Sequence, residues 1–270
     1  MGVVSPIGND IETFRKNLLD GICGIDYITR FNADDFKVKI AAEVKDFQVT
    51  DYVDKSEARR MDLFTQYAVV AAKEAVEQSG IFGKVEPERF GVYVGSGIGG
   101  MDTLVSTMEK FMNGGSRKVS PLFIPMMISN MASGNIAIQY NAMGPCLPVV
   151  TACATSSHAI GEAYRAIRFG YADAIIAGGS EAAINGLAVA GFTNSTALST
   201  RNIPNESSIP FDARRDGFVI GEGAGILILE EYEYAKSRGA KILGEIVGYS
   251  NTCDAYHITA PHPEAEGAAN

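Results

Sequence analysis

The chain has 270 residues, 46% of them apolar and 20% charged, with 29 glycines and a net charge of −9. That is an ordinary globular composition, long enough for a sizeable core. The negative charge argues against nucleic acid as a partner, and no apolar run reaches the ~18 residues of a membrane helix, so a soluble, cytoplasmic protein is expected.

Met1-Gly-Val-Val-Ser-Pro-Ile-Gly8 reads as the tail of a strand and a turn, followed by a helix from about Asn9 to Leu19. A start inside an element predicts further residues upstream. Asp62 to Ser79 reads as a long helix, because Leu63, Tyr67, Val70, Ala71, Ala75 and Val76 recur at helical spacing and Gly80 supplies a stop. Phe90 to Val94 is a short apolar strand that opens into Gly95-Ser-Gly-Ile-Gly-Gly100 and a helix from about Asp102. Pro121 and Pro125 frame a loop, with a helix continuing to about Tyr140.

Leu147-Pro-Val-Val-Thr151 reads as a buried strand, and Thr155 to Phe169 as a helix stopped by Gly170. Asp173 to Ala177 is a strand closed by Gly178-Gly179. Gly225 to Glu230 and Ile242 to Ser250 are two more, and Arg201 to Ser208 is a surface loop by composition. Strands alternating with helices predict an α/β fold whose sheet is mostly parallel and covered on both faces. The last residues, Glu264 to Asn270, look like the opening of a further helix.

Cys23, Cys146, Cys153 and Cys253 are expected to be free thiols, since no Cys-x-x-Cys or His-x-x-x-His pair points to a metal. Three of them, Cys23, Cys146 and Cys253, read as buried structural residues. Cys153 differs because it stands between an apolar strand and a helix. A helix start carries unpaired N–H groups and partial positive charge. Those favour a thiolate and can hold a developing oxyanion. The small neighbours Ala152 and Ala154 leave room for a thioester. The setting follows the logic of a nucleophile elbow with sulfur in place of a hydroxyl.

Thr151-Ala-Cys-Ala-Thr-Ser-Ser-His-Ala-Ile-Gly161 resembles the active-cysteine motif of the β-ketoacyl–acyl carrier protein synthases. Gly2 to Gly8, Arg60-Met-Asp62, Gly95 to Gly100, Ala177-Gly-Gly-Ser-Glu181, Gly191-Phe192 and Ala197 to Asn202 are similar to the same family. So are Pro210-Phe-Asp212, Arg215 to Phe218 and Asp254 to Pro261, and the likeness is greatest to the type II elongating enzyme. The resemblance implies a thiolase-like fold. Residues 1–240 would be its N-terminal domain, without the first strand, and 241–270 the beginning of a truncated C-terminal one.

It also implies the chemistry of fatty acid elongation: an acyl thioester on Cys153 condenses with malonyl-carrier protein as carbon dioxide leaves. Cys153 matches the nucleophile. Ile98, Phe123 and Phe192 match residues of the acyl pocket, its partner-subunit wall and the acyl channel, and Thr259 a position near the malonyl site. Arg59, Arg60, Arg117 and Lys118 match basic positions where an acidic carrier protein docks. The enzyme is expected to bind no cofactor of its own, because its substrates ride on the phosphopantetheine of acyl carrier protein, and to work as a homodimer. His158, His257 and His262 do not match the family's catalytic histidines, which lie beyond Asn270. The 270-residue chain alone is therefore expected to be inactive in condensation. A polyketide ketosynthase, a thiolase or a non-catalytic pocket-forming subunit of a heterodimer are the alternatives; the last usually lacks the cysteine.

Overall fold

A computed structural model describes residues 1–270. The chain opens with β1 (Gly2–Val4) and α1 (Ile11–Leu19), whose start is capped by the Asp10 carboxylate accepting from the Thr13 N–H. A small antiparallel pair, β2 (Asp26–Tyr27) and β3 (Ile40–Ala41), follows. After the single turn α2 (Lys55–Ala58) comes α3 (Leu63–Ser79), capped by Asp62 and ended by Gly80 in the left-handed conformation, as its spacing predicts. β4 (Phe90–Gly95) leads into α4 (Met101–Gly114), α5 (Phe123–Met127) and α6 (Met131–Tyr140). α7 (Thr155–Arg168) and β5 (Ala174–Glu181) precede α8 (Gly186–Asn194) and α9 (Pro204–Ser207). β6 (Gly223–Glu230), α10 (Tyr232–Ser237) and α11 (Glu266–Ala269) complete the order.

The sheet runs β1-β6-β5-β4. It is mixed rather than mostly parallel: only β4 and β5 run parallel, and β6 is antiparallel to both β5 and β1. The parallel pair has the helical crossover such pairs need. β6 arrives instead after the long excursion through residues 182–222, which leaves its direction free.

Side chains alternate across the sheet with period two. Val92, Val94, Ile176 and Ile226 face a cluster of 24 buried residues shared with α3. Tyr93, Ile175 and Ala177 face a cluster of seven shared with α7. Each fully buried Val or Ile contributes roughly 1.5–3 kcal/mol by leaving water. β5 does not close at Gly178-Gly179 but runs through both to Glu181. The glycines are there for approach: a Cβ on Gly178 would stand 2.1 Å from the Gly225 carbonyl oxygen, and one on Gly179 would stand 2.7 Å from Ser156 Cβ.

Two apolar stretches expected as strands are not strands. Leu147 to Thr151 has no regular pairing, and Leu147 and Val150 are exposed. Only the bridge beside Cys146 joins it to the sheet, through Val92 N–H to Pro145 O at 2.9 Å and Leu147 N–H to Val92 O at 3.1 Å. The next groups of β4 are already taken: the Val94 N–H donates to Ser133 Oγ at 2.9 Å, and Val94 O accepts from the same hydroxyl at 2.8 Å. Ile242 to Ser250 is mostly exposed and pairs with no strand. An apolar run becomes a strand only where an open edge receives its N–H and C=O groups, and neither β1 nor β4 offers one to it. Of that stretch, Tyr249 packs on α7, its ring 4.8 Å below the Arg165 guanidinium.

A half-buried ionic link ties the β2–β3 segment to the core. Arg30 pairs with Glu222, which also accepts from Tyr67 Oη at 3.0 Å and the Val44 N–H at 2.8 Å. Desolvation pushes the Glu222 carboxyl above its ordinary 4.5 despite these donors.

Candidate active site

Cys153 lies in a single 3-10 turn, Ala152–Ala154, that hands the chain directly to α7. Its side is open: Cys153 is exposed. Two local features shape this turn. Ala152 takes φ +51°, a left-handed conformation that a residue with a Cβ adopts only under constraint. The Thr151 N–H donates to Thr155 Oγ1 at 2.8 Å, closing the backbone around the cysteine. The Cys153 N–H itself donates to no group of the protein. A free N–H beside an exposed thiol at a helix start can receive the oxygen of a carbonyl under attack.

Outside the turn, Thr151 Oγ1 and His158 Nδ1 share a hydrogen bond of 2.8 Å. His158 thus orients the residue two before Cys153, and its ring stands 6.3 Å from that of Tyr249.

The glycine-rich turn after β4 packs against this turn from the other side. A Cβ on Gly95 would stand 2.3 Å from both Thr155 Cγ2 and the Val149 carbonyl oxygen. The same segment touches α5, where the Gly100 N–H donates to Met127 O at 2.8 Å. The structure therefore gathers Cys153, the turn bearing Ile98, and α5, which begins at Phe123. Ile98 is 40% exposed and Phe123 half-buried.

Other expected residues lie apart. Phe192 packs with Phe218, ring centroids 5.6 Å apart, in a third cluster around Val38, Val189 and Leu198. Thr259 is exposed, and its N–H donates to His257 Nδ1 at 3.2 Å rather than to anything near Cys153. Arg59, Arg60, Arg117 and Lys118 are all exposed, and none joins an ion pair. They form two pairs rather than one patch. Arg60 precedes Asp62, which accepts from Thr103 in the first turn of α4, whereas Arg117 and Lys118 lie past its last turn. A helix of that length spans about 20 Å.

The expectation that Cys23, Cys146 and Cys253 are buried is corrected: all three are exposed free thiols. None belongs to a buried apolar cluster, because each sits in a connecting segment rather than on a sheet or helix face. Sequence reasoning overlooked Glu181, whose carboxylate accepts from the Ser96 hydroxyl and the Gly97 N–H beside the site. Its signal was an acidic residue at the end of an apolar strand, in a stretch already marked as motif-like.

A family described as the beta-ketoacyl synthase N-terminal domain matches residues 1–235. The chain is 52% identical to 3-oxoacyl-[acyl-carrier-protein] synthase 2 of Staphylococcus aureus over 100% of this chain and 67% of that protein. Against the protein of the same name from Synechocystis sp. it is 50% identical, with 99% of this chain and 65% of the relative covered. The chain thus spans 65–67% of the curated relatives it matches. Among solved structures, a beta-ketoacyl synthase from Burkholderia phymatum superposes with a TM-score of 0.87 at 34% identity, covering 96% of this chain and 64% of that one. A type II PKS ketosynthase in complex with its acyl-carrier protein superposes with a TM-score of 0.85 at 32% identity, covering 97% and 64%. These likenesses carry the thiolase-like α/β fold expected from the motifs.

Proposed function

Because the chain belongs to the beta-ketoacyl synthase family, we propose that Cys153 accepts an acyl chain from acyl carrier protein for decarboxylative elongation of fatty acids. The observation that carries this is an exposed thiol with a free backbone N–H beside it, at a strained turn that opens a helix. The Cys153 thiolate attacks the acyl carbonyl carbon. The carbon–sulfur bond to the carrier's phosphopantetheine breaks, and the departing thiolate takes a proton. The Cys153 N–H holds the oxyanion between these events. In the full reaction malonyl-carrier protein then loses carbon dioxide, and its carbanion takes the acyl group in a ping-pong sequence.

The identity to synthases of this name, 52% against 32% for the polyketide ketosynthase, favours fatty acid over polyketide elongation. The reactive position of Cys153 disfavours a silent subunit. A relative bound to its acyl-carrier protein supports that partner for this chain, with Arg59, Arg60, Arg117 and Lys118 as unpaired cations for an acidic surface. Homodimer formation, and roles for Phe123 in the partner's pocket, Phe192 along the acyl channel and Thr259 near malonate, belong to the same reading. So do residues 1–240 as one thiolase-like domain and 241–270 as the start of a second. No helix is long and apolar enough to cross a membrane, and a cytoplasmic site of action accords with four free thiols. The 270 residues hold no match to the family's catalytic histidines, so by themselves they are expected to stop at the acyl-enzyme.

The test is intact-mass spectrometry after incubation with acyl-carrier protein. Wild type is expected to gain one acyl group, and Cys153→Ala none. An adduct of equal yield on the variant would remove Cys153 from its role.

A further inference from the structure

We propose that Glu181 is a positioning residue that holds the Ser96–Gly99 turn against the Cys153 turn, and so sets which acyl chains fit beside the sulfur. This inference rests on the acyl-enzyme reading above. Glu181 ends β5. Its Oε1 accepts from Ser96 Oγ at 2.8 Å and from the Ile98 N–H at 3.3 Å, and its Oε2 accepts from the Gly97 N–H at 2.9 Å. Ser96 Oγ in turn accepts from the Gly99 N–H at 2.9 Å. One carboxylate therefore fixes two consecutive amides directly and a third through a hydroxyl.

The turn so fixed is wedged. A Cβ on Gly97 would stand 2.7 Å from Glu181 Oε2 and 3.4 Å from the Ala152 carbonyl oxygen. Carboxylate, Gly97 backbone and Ala152 thus lie in contact, and Cys153 follows Ala152. Ile98, next after Gly97, is the exposed apolar side chain of that turn. Because the turn touches Ala152, the residue before Cys153, any shift of the turn alters the room beside a thioester on that sulfur. The donors also offset the carboxylate's charge, which allows an anion close to a nucleophilic sulfur without opposing it. Burial pushes the Glu181 carboxyl above its ordinary 4.5 against the pull of those donors. By engaging the amides of Gly97 and Ile98, Glu181 also keeps them from serving as oxyanion donors and leaves that part to the Cys153 N–H.

The experiment compares wild type, Glu181→Gln and Ser96→Ala. Initial rates of Cys153 acylation are measured with octanoyl- and palmitoyl-carrier protein, and amide hydrogen exchange is followed at residues 97–99. In Glu181→Gln the amide nitrogen faces a donor, so an anchor is lost with little change of shape. Ser96→Ala removes a single hydroxyl and retains the carboxylate, which guards against a Glu181 variant that does not fold. Both are expected to change the octanoyl-to-palmitoyl rate ratio by about threefold or more and to speed exchange at 97–99. An equal fall in both rates, with the ratio unchanged, would reduce Glu181 to a structural residue, and so would unchanged exchange at 97–99. If wild type forms no adduct with either thioester, the acyl-enzyme reading fails instead, while exchange still judges the anchor.

Discussion

On the α3 side of the sheet, 24 buried residues interlock, including the fully buried Phe64, Tyr67 and Ile136. On the α7 side there are seven, and five of these are alanines: Ala159, Ala163, Ala166, Ala172 and Ala177. Large side chains make the first layer thick and costly to disturb. Small ones make the second thin, so that α7 lies close on the strands and its first turn meets the ends of β4 and β5. Stability is concentrated on one face and the candidate chemistry on the other. A reactive turn placed on the thin face can be strained, as Ala152 is, because the thick face supplies the surplus.

The largest effect is expected from the thick face. Phe64→Ala should lower unfolding stability by about 3–5 kcal/mol in urea titration. A loss under about 1 kcal/mol would mean that the α3 layer does not dominate. Gly95→Ala probes the seam between the β4 end and the Cys153 turn. With a Cβ 2.3 Å from Thr155 Cγ2 and Val149 O, overpacking should cost about 1–3 kcal/mol and slow iodoacetamide alkylation of Cys153. Unchanged alkylation would show that the turn tolerates being pushed. The smallest effect on stability belongs to Cys153. Cys153→Ala should move stability by no more than about 0.5 kcal/mol while abolishing the acyl adduct. A large destabilisation would make the thiol a packing residue and erase the division between the faces.

Much of this layout was readable from residue order. The Asp62 cap, the helical spacing from Leu63 to Val76 and the Gly80 stop outline α3 without any tertiary information. The chain around Cys153 announces its turn through an apolar approach, small neighbours and a run of threonine and serine. What could not be read depends on remote partners. Leu147 to Val150 and Ile242 to Val247 are apolar like β4, but the first meets the β4 edge only through Leu147 and the second pairs with no strand. The glycines at 178 and 179 look like a stop, yet they serve packing against Gly225 and Ser156, far away in sequence. The direction of β6 carries no local mark. Glu181 escaped because its value lies in amides about 80 residues away, such as the Gly97 N–H at a separation of 84.

β1 pairs with β6 so that Gly2 faces Ile226. Strand β1 thus waits for a partner made about 220 residues later in the chain. At translation rates of 5–20 residues per second, roughly ten to fifty seconds separate their synthesis. Through that interval the part of α3 that will lie under β6 has no cover. The nascent chain therefore carries one face of α3 bare until β6 is made, and chaperone occupancy along the growing polypeptide should peak before residue 223 emerges and fall once β6 joins β1 to β5.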